Sequence, residues 1–134
     1  MCGIFGISAT INPKQDYDKI ILDLKKLITL SEMRGSDTFG VSFKLTNKTL
    51  IYKTNEKPTK AINKKDYKNF LEENLKKSLN NDLLLLGQTR LVTNGSKFSY
   101  QNNQPLESKN IVGVHNGIFT NLQNYNETKT ENLE

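Results

Sequence analysis

The stretch LLLLGQTRLVTNG occupies residues 83–95, and its first part decides the fold class that we predict. The leucine run at residues 83–86 is short enough for a strand that is buried on both faces, and shorter than an ordinary helix. The polar, glycine-containing end of the stretch is typical of a loop that leaves such a strand. We therefore place a central strand at residues 83–86, with its partners elsewhere in the chain.

Further short strands are predicted on both sides of this central run. They share apolar or alternating sequences bounded by turn-forming residues. They cover residues 3–8, 38–45, 49–54 and 111–114. The segments at 38–45 and 49–54 are predicted to form a hairpin around residues 46–48.

Helical spacing of apolar residues, with lysines on the opposite face, appears at residues 16–33 and 66–79. Asp16 is the predicted N-cap of the first helix, and Met33 is counted among its core residues. Strands and helices mix without a regular strand–helix–strand repeat, which favours an α+β fold over a doubly wound one. The remaining segments are predicted to be polar connections or loops, and they are residues 58–65, 93–110 and the chain after 122.

Length and composition limit the class of protein. A chain of 134 residues has room for one ordinary domain. No apolar run approaches the roughly 20 residues that span a bilayer, and the first residues lack the basic region of a secretory signal. A single cysteine cannot form an internal disulfide. These features predict a cytoplasmic protein without membrane partners.

The net charge of +5 raises the question of nucleic-acid binding. Almost all of the basic residues are lysines scattered among asparagines, and arginine occurs only at Arg34 and Arg90. Arginine is the usual residue for bidentate contacts with phosphates and bases. The charge excess is therefore interpreted as a solvated surface, and no nucleic-acid partner is predicted.

The rare residue types are concentrated in a few places. The eight glycines fall into four pairs along the chain, at 3 and 6, 35 and 40, 87 and 95, and 113 and 117. Cys2 is the only cysteine, and His115, the only histidine, lies within the fourth pair. Glycine permits close backbone approach and unusual dihedral angles. The pattern predicts that these segments converge on one site.

Cys2 has two interpretations. A lone cysteine beside the initiator is usually a small buried apolar residue. Removal of Met1 would instead make Cys2 the N-terminal residue, and its α-amine, with an ordinary pKa of about 7.7–8.0, would accept the thiol proton. Nucleophile and base would then belong to one residue.

Taken together, these segments resemble the class II glutamine amidotransferases, a branch of the N-terminal-nucleophile hydrolases. The segments match family motifs in order and in approximate spacing. They are MCGIFG at 1–6, MRGSDTFGVSF at 33–43, GQTRLVTNGS at 87–96, NNQPLE at 102–107 and VHNGIFTN at 114–121. Gln88 stands where the family usually has histidine, and Ser36 and Thr38 also depart from its commoner residues.

The resemblance implies an αββα sandwich of two antiparallel sheets between helices. It implies that Cys2 attacks the side-chain amide of glutamine and forms a thioester. The side chain of Asn116 and the backbone N–H of Gly117 would form the oxyanion hole. Asn116-Gly117 is also a strong type I′ turn signal, and the two interpretations are compatible.

Further roles follow from the same resemblance. Arg90 would bind the α-carboxylate of glutamine through its planar guanidinium, and Thr93 would contact the substrate nearby. Arg34 either orders the segment that carries Asp37 near the nucleophile or forms a surface ion pair. His115 is expected to support the site by packing, because the base of the family is the N-terminal amine.

The expected function is hydrolysis of L-glutamine, with ammonia passed to an acceptor domain or subunit. The motifs favour a sugar phosphate or phosphoribosyl acceptor, and no cofactor or metal is expected. Residues 1–134 would be one partial glutaminase domain, apparently truncated at its C-terminal end, without the residue that binds the α-amino group of glutamine. The alternatives are an inert binding or regulatory fragment that retains the fold, and a different hydrolase of the N-terminal-nucleophile group.

Overall fold

The computed structural model of the chain describes residues 1–10, 16–45, 48–78 and 82–117. Some of the predicted features lie outside these ranges. They are part of the turn expected at 46–48, the last residue of the helix predicted at 66–79, and the chain after 122. Within them the chain forms an α+β fold with antiparallel sheets, as predicted.

The helices and strands of the described ranges alternate irregularly along the chain. Three helices are found, α1 (Tyr17–Glu32), α2 (Pro58–Ala61) and α3 (Lys65–Lys77). The strands are β1 (Gly3–Thr10), β2 (Thr38–Lys44), β3 (Thr49–Thr54), β4 (Asp82–Arg90), β5 (Leu106–Ser108) and β6 (Ile111–Gly113). A single 3₁₀ turn covers Tyr100–Asn102. None of these helices has the length and apolar character needed to cross a bilayer.

Strand β4 lies inside a four-stranded antiparallel sheet of order β1-β4-β2-β3. Gly3 pairs with Thr89, and Thr38 pairs with Arg90. The starts of β1 and β2 therefore lie beside the end of β4. Strands β5 and β6 form a separate two-stranded sheet.

The hydrophobic core lies on one face of the large sheet, between the sheet and the helices. Side chains alternate between the faces of a strand, so Phe39, Val41 and Phe43 of β2 share a face. All three are fully buried. Helix α3 covers them with aromatic rings: the ring of Tyr67 lies 5.4 Å from that of Phe39, and the ring of Phe70 lies 5.6 Å from that of Phe43. We call this side of the sheet the helix-covered face.

Helix α1 agrees with its predicted position, with two differences in detail. Asp16 occupies the N-cap position, but its side chain makes no capping hydrogen bond. The prediction that Met33 belongs to the core is wrong, because Met33 follows the last helical residue and is 85% exposed. The buried residues of the helix are Ile20, Leu24 and Ile28.

Three segments differ from the predicted pattern. Residues 58–65 contain α2, whose Pro58 and Ala61 are buried, so the predicted polar connection is wrong there. The central strand extends well beyond residues 83–86, to Arg90. The loop predicted at 93–110 contains the 3₁₀ turn and β5.

Candidate active site

Cys2 lies immediately before β1, at the end of the sheet where β4 ends. It is 6% exposed, and its Sγ is 3.9 Å from the carbonyl oxygen of Leu91. Pairing of Gly3 with Thr89 fixes this neighbourhood, because Leu91 follows β4 directly. Strand pairing thus places the thiol of Cys2 beside Leu91, the residue that directly follows β4.

Asn116 reaches Cys2 from a distant part of the sequence. The backbone N–H of Cys2 donates a hydrogen bond to Oδ1 of Asn116 at 3.0 Å. Because Oδ1 accepts this bond, the Nδ2 group is the opposite end of the same amide and remains a donor. The structure therefore brings together two of the predicted catalytic residues.

Arg34 contacts the nucleophile segment. Its Nε donates to the carbonyl oxygen of Cys2 at 3.4 Å, and its Nη2 lies 3.7 Å from Sδ of Met1. Within the described ranges, Arg34 takes part in no ion pair with a carboxylate. Of the two roles considered for Arg34, its contacts fit the one beside the nucleophile.

Asp37 holds the main chain on both sides of Leu91. Its carboxylate accepts a hydrogen bond from the N–H of Val92 at 2.8 Å, and its own N–H donates to the carbonyl oxygen of Arg90 at 2.9 Å. Gly35 permits this approach, because a Cβ there would come within 2.5 Å of the main chain of Arg90 and Leu91. The carbonyl group that faces the thiol is therefore fixed from both sides.

Arg90 is buried, with 2% of its surface exposed. Its Nη1 donates to Oδ1 of Asn103 at 3.2 Å, and its Nη2 donates to the carbonyl oxygen of Asn94. The guanidinium thus joins the end of β4 to the following loop. Thr93 lies exposed on that loop. The predicted contacts of Arg90 and Thr93 with glutamine stay predictions.

His115 and Gly117 lie on either side of Asn116. A Cβ added to Gly117 would lie 3.0 Å from Nε2 of His115, which is closer than an ordinary contact, so the imidazole ring packs tightly against Gly117. Asn116 and Gly117 do not form a type I′ turn, which requires positive φ at both central positions, because Gly117 lacks it.

Comparison with known proteins identifies a relative by sequence. The chain is 33% identical, over 132 residues, to glutamine–fructose-6-phosphate aminotransferase [isomerizing] of Sulfolobus acidocaldarius. The alignment covers 98% of the chain and 20% of that relative, so the chain spans about a fifth of the relative's length. The chain is a relative of the class II glutamine amidotransferases. No family model matches it. No solved structure matches it significantly.

The amidotransferase motifs contain two residues whose contacts sequence reasoning missed, Gln88 and Gln104. Nε2 of Gln88 donates to Oε1 of Gln104 at 2.9 Å and to the carbonyl oxygen of His115 at 2.6 Å. The N–H of His115 donates to the same Oε1 of Gln104 at 2.6 Å. One feature of the sequence could have pointed to these contacts: Gln88 stands where the family usually has histidine.

A cleft of about 390 Å³ lies elsewhere on the molecule, beside β3. It is lined in part by Lys53, Tyr100, Leu106 and Glu107, and none of its lining residues is a predicted site residue. Burial lowers the pKa of Lys53, whose ammonium lies 4.6 Å from the centre of the Tyr100 ring. Within the described ranges, no three His, Cys, Asp or Glu side chains are grouped as metal ligands would be.

Proposed function

We propose that the chain is a glutaminase of the class II amidotransferase type. Cys2, exposed by removal of Met1, would hydrolyse the side-chain amide of L-glutamine to glutamate and ammonia. The main support is the 3.0 Å contact between the nitrogen of Cys2 and Oδ1 of Asn116. It joins the residue that would supply both nucleophile and base to the residue that would stabilise the oxyanion.

The chemistry follows from these groups. The α-amine of Cys2 accepts the thiol proton, and the sulfur bonds to the amide carbon of glutamine. Charge moves to the amide oxygen, where Nδ2 of Asn116 and the N–H of Gly117 donate hydrogen bonds. The C–N bond then breaks, and the leaving nitrogen takes the proton from the α-ammonium and departs as ammonia. Water, deprotonated by the same amine, adds to the thioester carbon, and the C–S bond breaks. The sulfur of Cys2 then recovers the proton from the α-ammonium, and glutamate is released.

The ammonia would serve a separate acceptor domain or subunit. The related protein is named for fructose 6-phosphate, which favours a sugar-phosphate acceptor over a phosphoribosyl one. Residues 1–134 would form one partial glutaminase domain within an αββα sandwich. The helix layer on one face of the β1-β4-β2-β3 sheet supports this arrangement, because it supplies one α layer and one β layer.

The test compares proteins that differ only at the N-terminus. One form exposes Cys2, a second retains Met1, and the third carries Cys2→Ala. Retained Met1 converts the Cys2 nitrogen into an amide without a basic lone pair, so its glutamate release should fall about as far as that of Cys2→Ala. Near-attack geometry also tolerates little added bulk. Mass spectrometry of the intact chains establishes each N-terminus.

Covalent labelling provides the matched measurement. A diazo-ketone analogue of glutamine should add to Cys2 only in the processed form. Equal glutamate release with and without Met1 would overturn the mechanism. Absence of both release and labelling in the processed form would contradict the proposal and favour the inert fragment.

A further inference from the structure

Gln88 and Gln104 form a closed hydrogen-bonded cluster with the main chain of His115. Gln88 uses both N–H groups of its amide, one toward Oε1 of Gln104 and one toward the carbonyl oxygen of His115. Oε1 of Gln104 accepts a second bond from the N–H of His115. Both polar groups of the His115 main chain are therefore held by side chains, immediately before Asn116.

The direction of these hydrogen bonds is fixed by their partners. The carbonyl oxygen of His115 and Oε1 of Gln104 are acceptors, so the atom of Gln88 that faces them must be a donor. Gln88 is 1% exposed and Gln104 is 5% exposed, so water does not substitute for a lost partner at low cost. Among the described residues, Oε1 of Gln88 is buried without a hydrogen-bond partner. An amide retained at that cost indicates that its two donors matter.

The cluster is anchored in β4, an inner strand of the four-stranded sheet. Gln88 lies in β4, opposite Ile4 of β1 and Gly40 of β2. The missing side chain of Gly40 leaves room for the carbonyl group of Gln104, with which a Cβ at position 40 would collide. The sheet thus holds Gln88 and Gln104, and these two residues hold His115.

We propose that Gln88 and Gln104 are positioning residues that set the place of Asn116 and Gly117 relative to Cys2. The inference rests on the proposed glutaminase function, since it concerns the donors of the oxyanion hole. Cys2 is held in the site because it directly precedes β1. Asn116 is held there because it directly follows His115, whose main chain is bound by Gln88 and Gln104. Strand β4 pairs with β1 and carries Gln88, so it fixes both partners against one another.

The proposal is tested by two isosteric substitutions with opposite expected results. Gln88→Glu places a carboxylate against two acceptor oxygens. We expect kcat to fall at least about tenfold with little change in KM for glutamine, since outright loss of one oxyanion-hole donor costs about 100- to 1,000-fold. Gln104→Glu keeps an acceptor for both of its donors, so its kcat should fall much less. Gln101→Glu, the same change on an exposed residue nearby, is the control and should leave kcat unchanged.

Amide hydrogen exchange of His115 gives a readout that does not depend on activity. Its N–H should exchange several-fold faster in Gln88→Glu and remain protected in Gln104→Glu. Equal losses of kcat in the two variants, or an unchanged His115 exchange rate in Gln88→Glu, would overturn the proposal. If Gln88→Glu does not fold, Gln104→Glu and Gln104→Leu replace it, and equal kcat values for that pair overturn the proposal. An unaltered protein that releases no glutamate would instead contradict the proposed function, and the exchange measurement would still decide the positioning role.

Discussion

The two faces of the β1-β4-β2-β3 sheet differ in what their side chains contact. On the helix-covered face, Leu83 and Leu85 of β4 join a continuous apolar core. On the opposite face, Gln88 and Arg90 of the same strand are equally buried but contact polar groups of the segment that follows. We call this second side the loop-covered face.

The contrast shows how one strand serves two purposes. Because side chains alternate along a strand, neighbouring residues of β4 belong to different environments. The helix-covered face stabilises the domain by burial of apolar area, which is not directional. The loop-covered face uses hydrogen bonds, which fix positions. Substitutions on the helix-covered face should therefore change mainly stability, whereas substitutions on the loop-covered face should also change catalysis.

The largest expected effect is on the helix-covered face. Leu85 is 1% exposed, so Leu85→Ala should lower the free energy of unfolding by about 2–5 kcal/mol. Leu84 points the other way and is 51% exposed, so Leu84→Ala should change it by about 0.5 kcal/mol or less. Denaturant-induced unfolding measures both. Similar losses for the two leucines would contradict the assignment of the faces.

A glycine pair tests the loop-covered face. Gly40→Ala would push a Cβ into the carbonyl oxygen of Gln104, and we expect a loss of about 1–3 kcal/mol in unfolding free energy. Glutaminase activity should fall as well, because Gln104 would move. Gly113→Ala is the matched control, since a Cβ there meets no atom of the described residues within 4 Å. A Gly40→Ala variant as stable and as active as Gly113→Ala would refute the close packing of Gln104.

Arg90→Lys tests whether the loop-covered face also binds substrate. Lysine lacks the planar fork that suits a carboxylate, and the carboxylate of glutamine lies far from the reacting amide. We expect KM for glutamine to rise about tenfold, while kcat changes less. The tenfold rise corresponds to the loss of one hydrogen bond to a charged group, worth about 1.5 kcal/mol. Steady-state kinetics over a range of glutamine concentrations separates the two constants. An unchanged KM would remove Arg90 from the substrate site.

The smallest effect concerns an ionic contact in the helix layer. The carboxylate of Glu32, in α1, accepts hydrogen bonds from the N–H of Thr59 at 2.6 Å and from the ammonium of Lys57 at 3.0 Å. Burial alone would raise the pKa of Glu32, but the bonds from Thr59 and Lys57 outweigh it and hold this pKa below its ordinary value of 4.5. The contact therefore stabilises the fold above that value and is lost as the pH falls through the lowered pKa.

Glu32→Gln should accordingly cost about 1 kcal/mol or less at pH 7. The difference in unfolding free energy from the unaltered protein should shrink as the pH falls below 4.5. Unfolding curves measured from neutral to acidic pH provide the comparison. A difference that grows toward acidic pH would show that the sign of the shift is wrong.

The sequence predicts the helix-covered face better than the loop-covered face. The spacing of Ile20, Leu24 and Ile28 identifies α1, since apolar periodicity is a local signal. Strand β4 was predicted to end at residue 86 because Gln88 and Arg90 are polar. Their side-chain partners, Gln104 and Asn103, lie 16 and 13 residues away, and no local pattern reveals them.

The candidate site shows the same division. The motifs predicted the residues beside the thiol, and the structure brings Cys2, Arg34 and Asn116 together. The motifs assigned no role to Gln88 or Gln104, because the sequence alone does not distinguish a buried glutamine from an exposed one. Gln101 is such an exposed residue, three positions before Gln104.

The pairing of β1 with β4 also has a consequence for synthesis of the chain. Gly3 finds its partner, Thr89, only after most of the described chain has been translated. At about 5–20 residues per second, the ribosome needs several seconds to reach that point. Throughout this interval the first strand lacks its partner among the described strands, and an aminopeptidase would have access to Met1 before β1 is paired. The late arrival of β4 would thus leave time for the removal of Met1 that the proposed function requires.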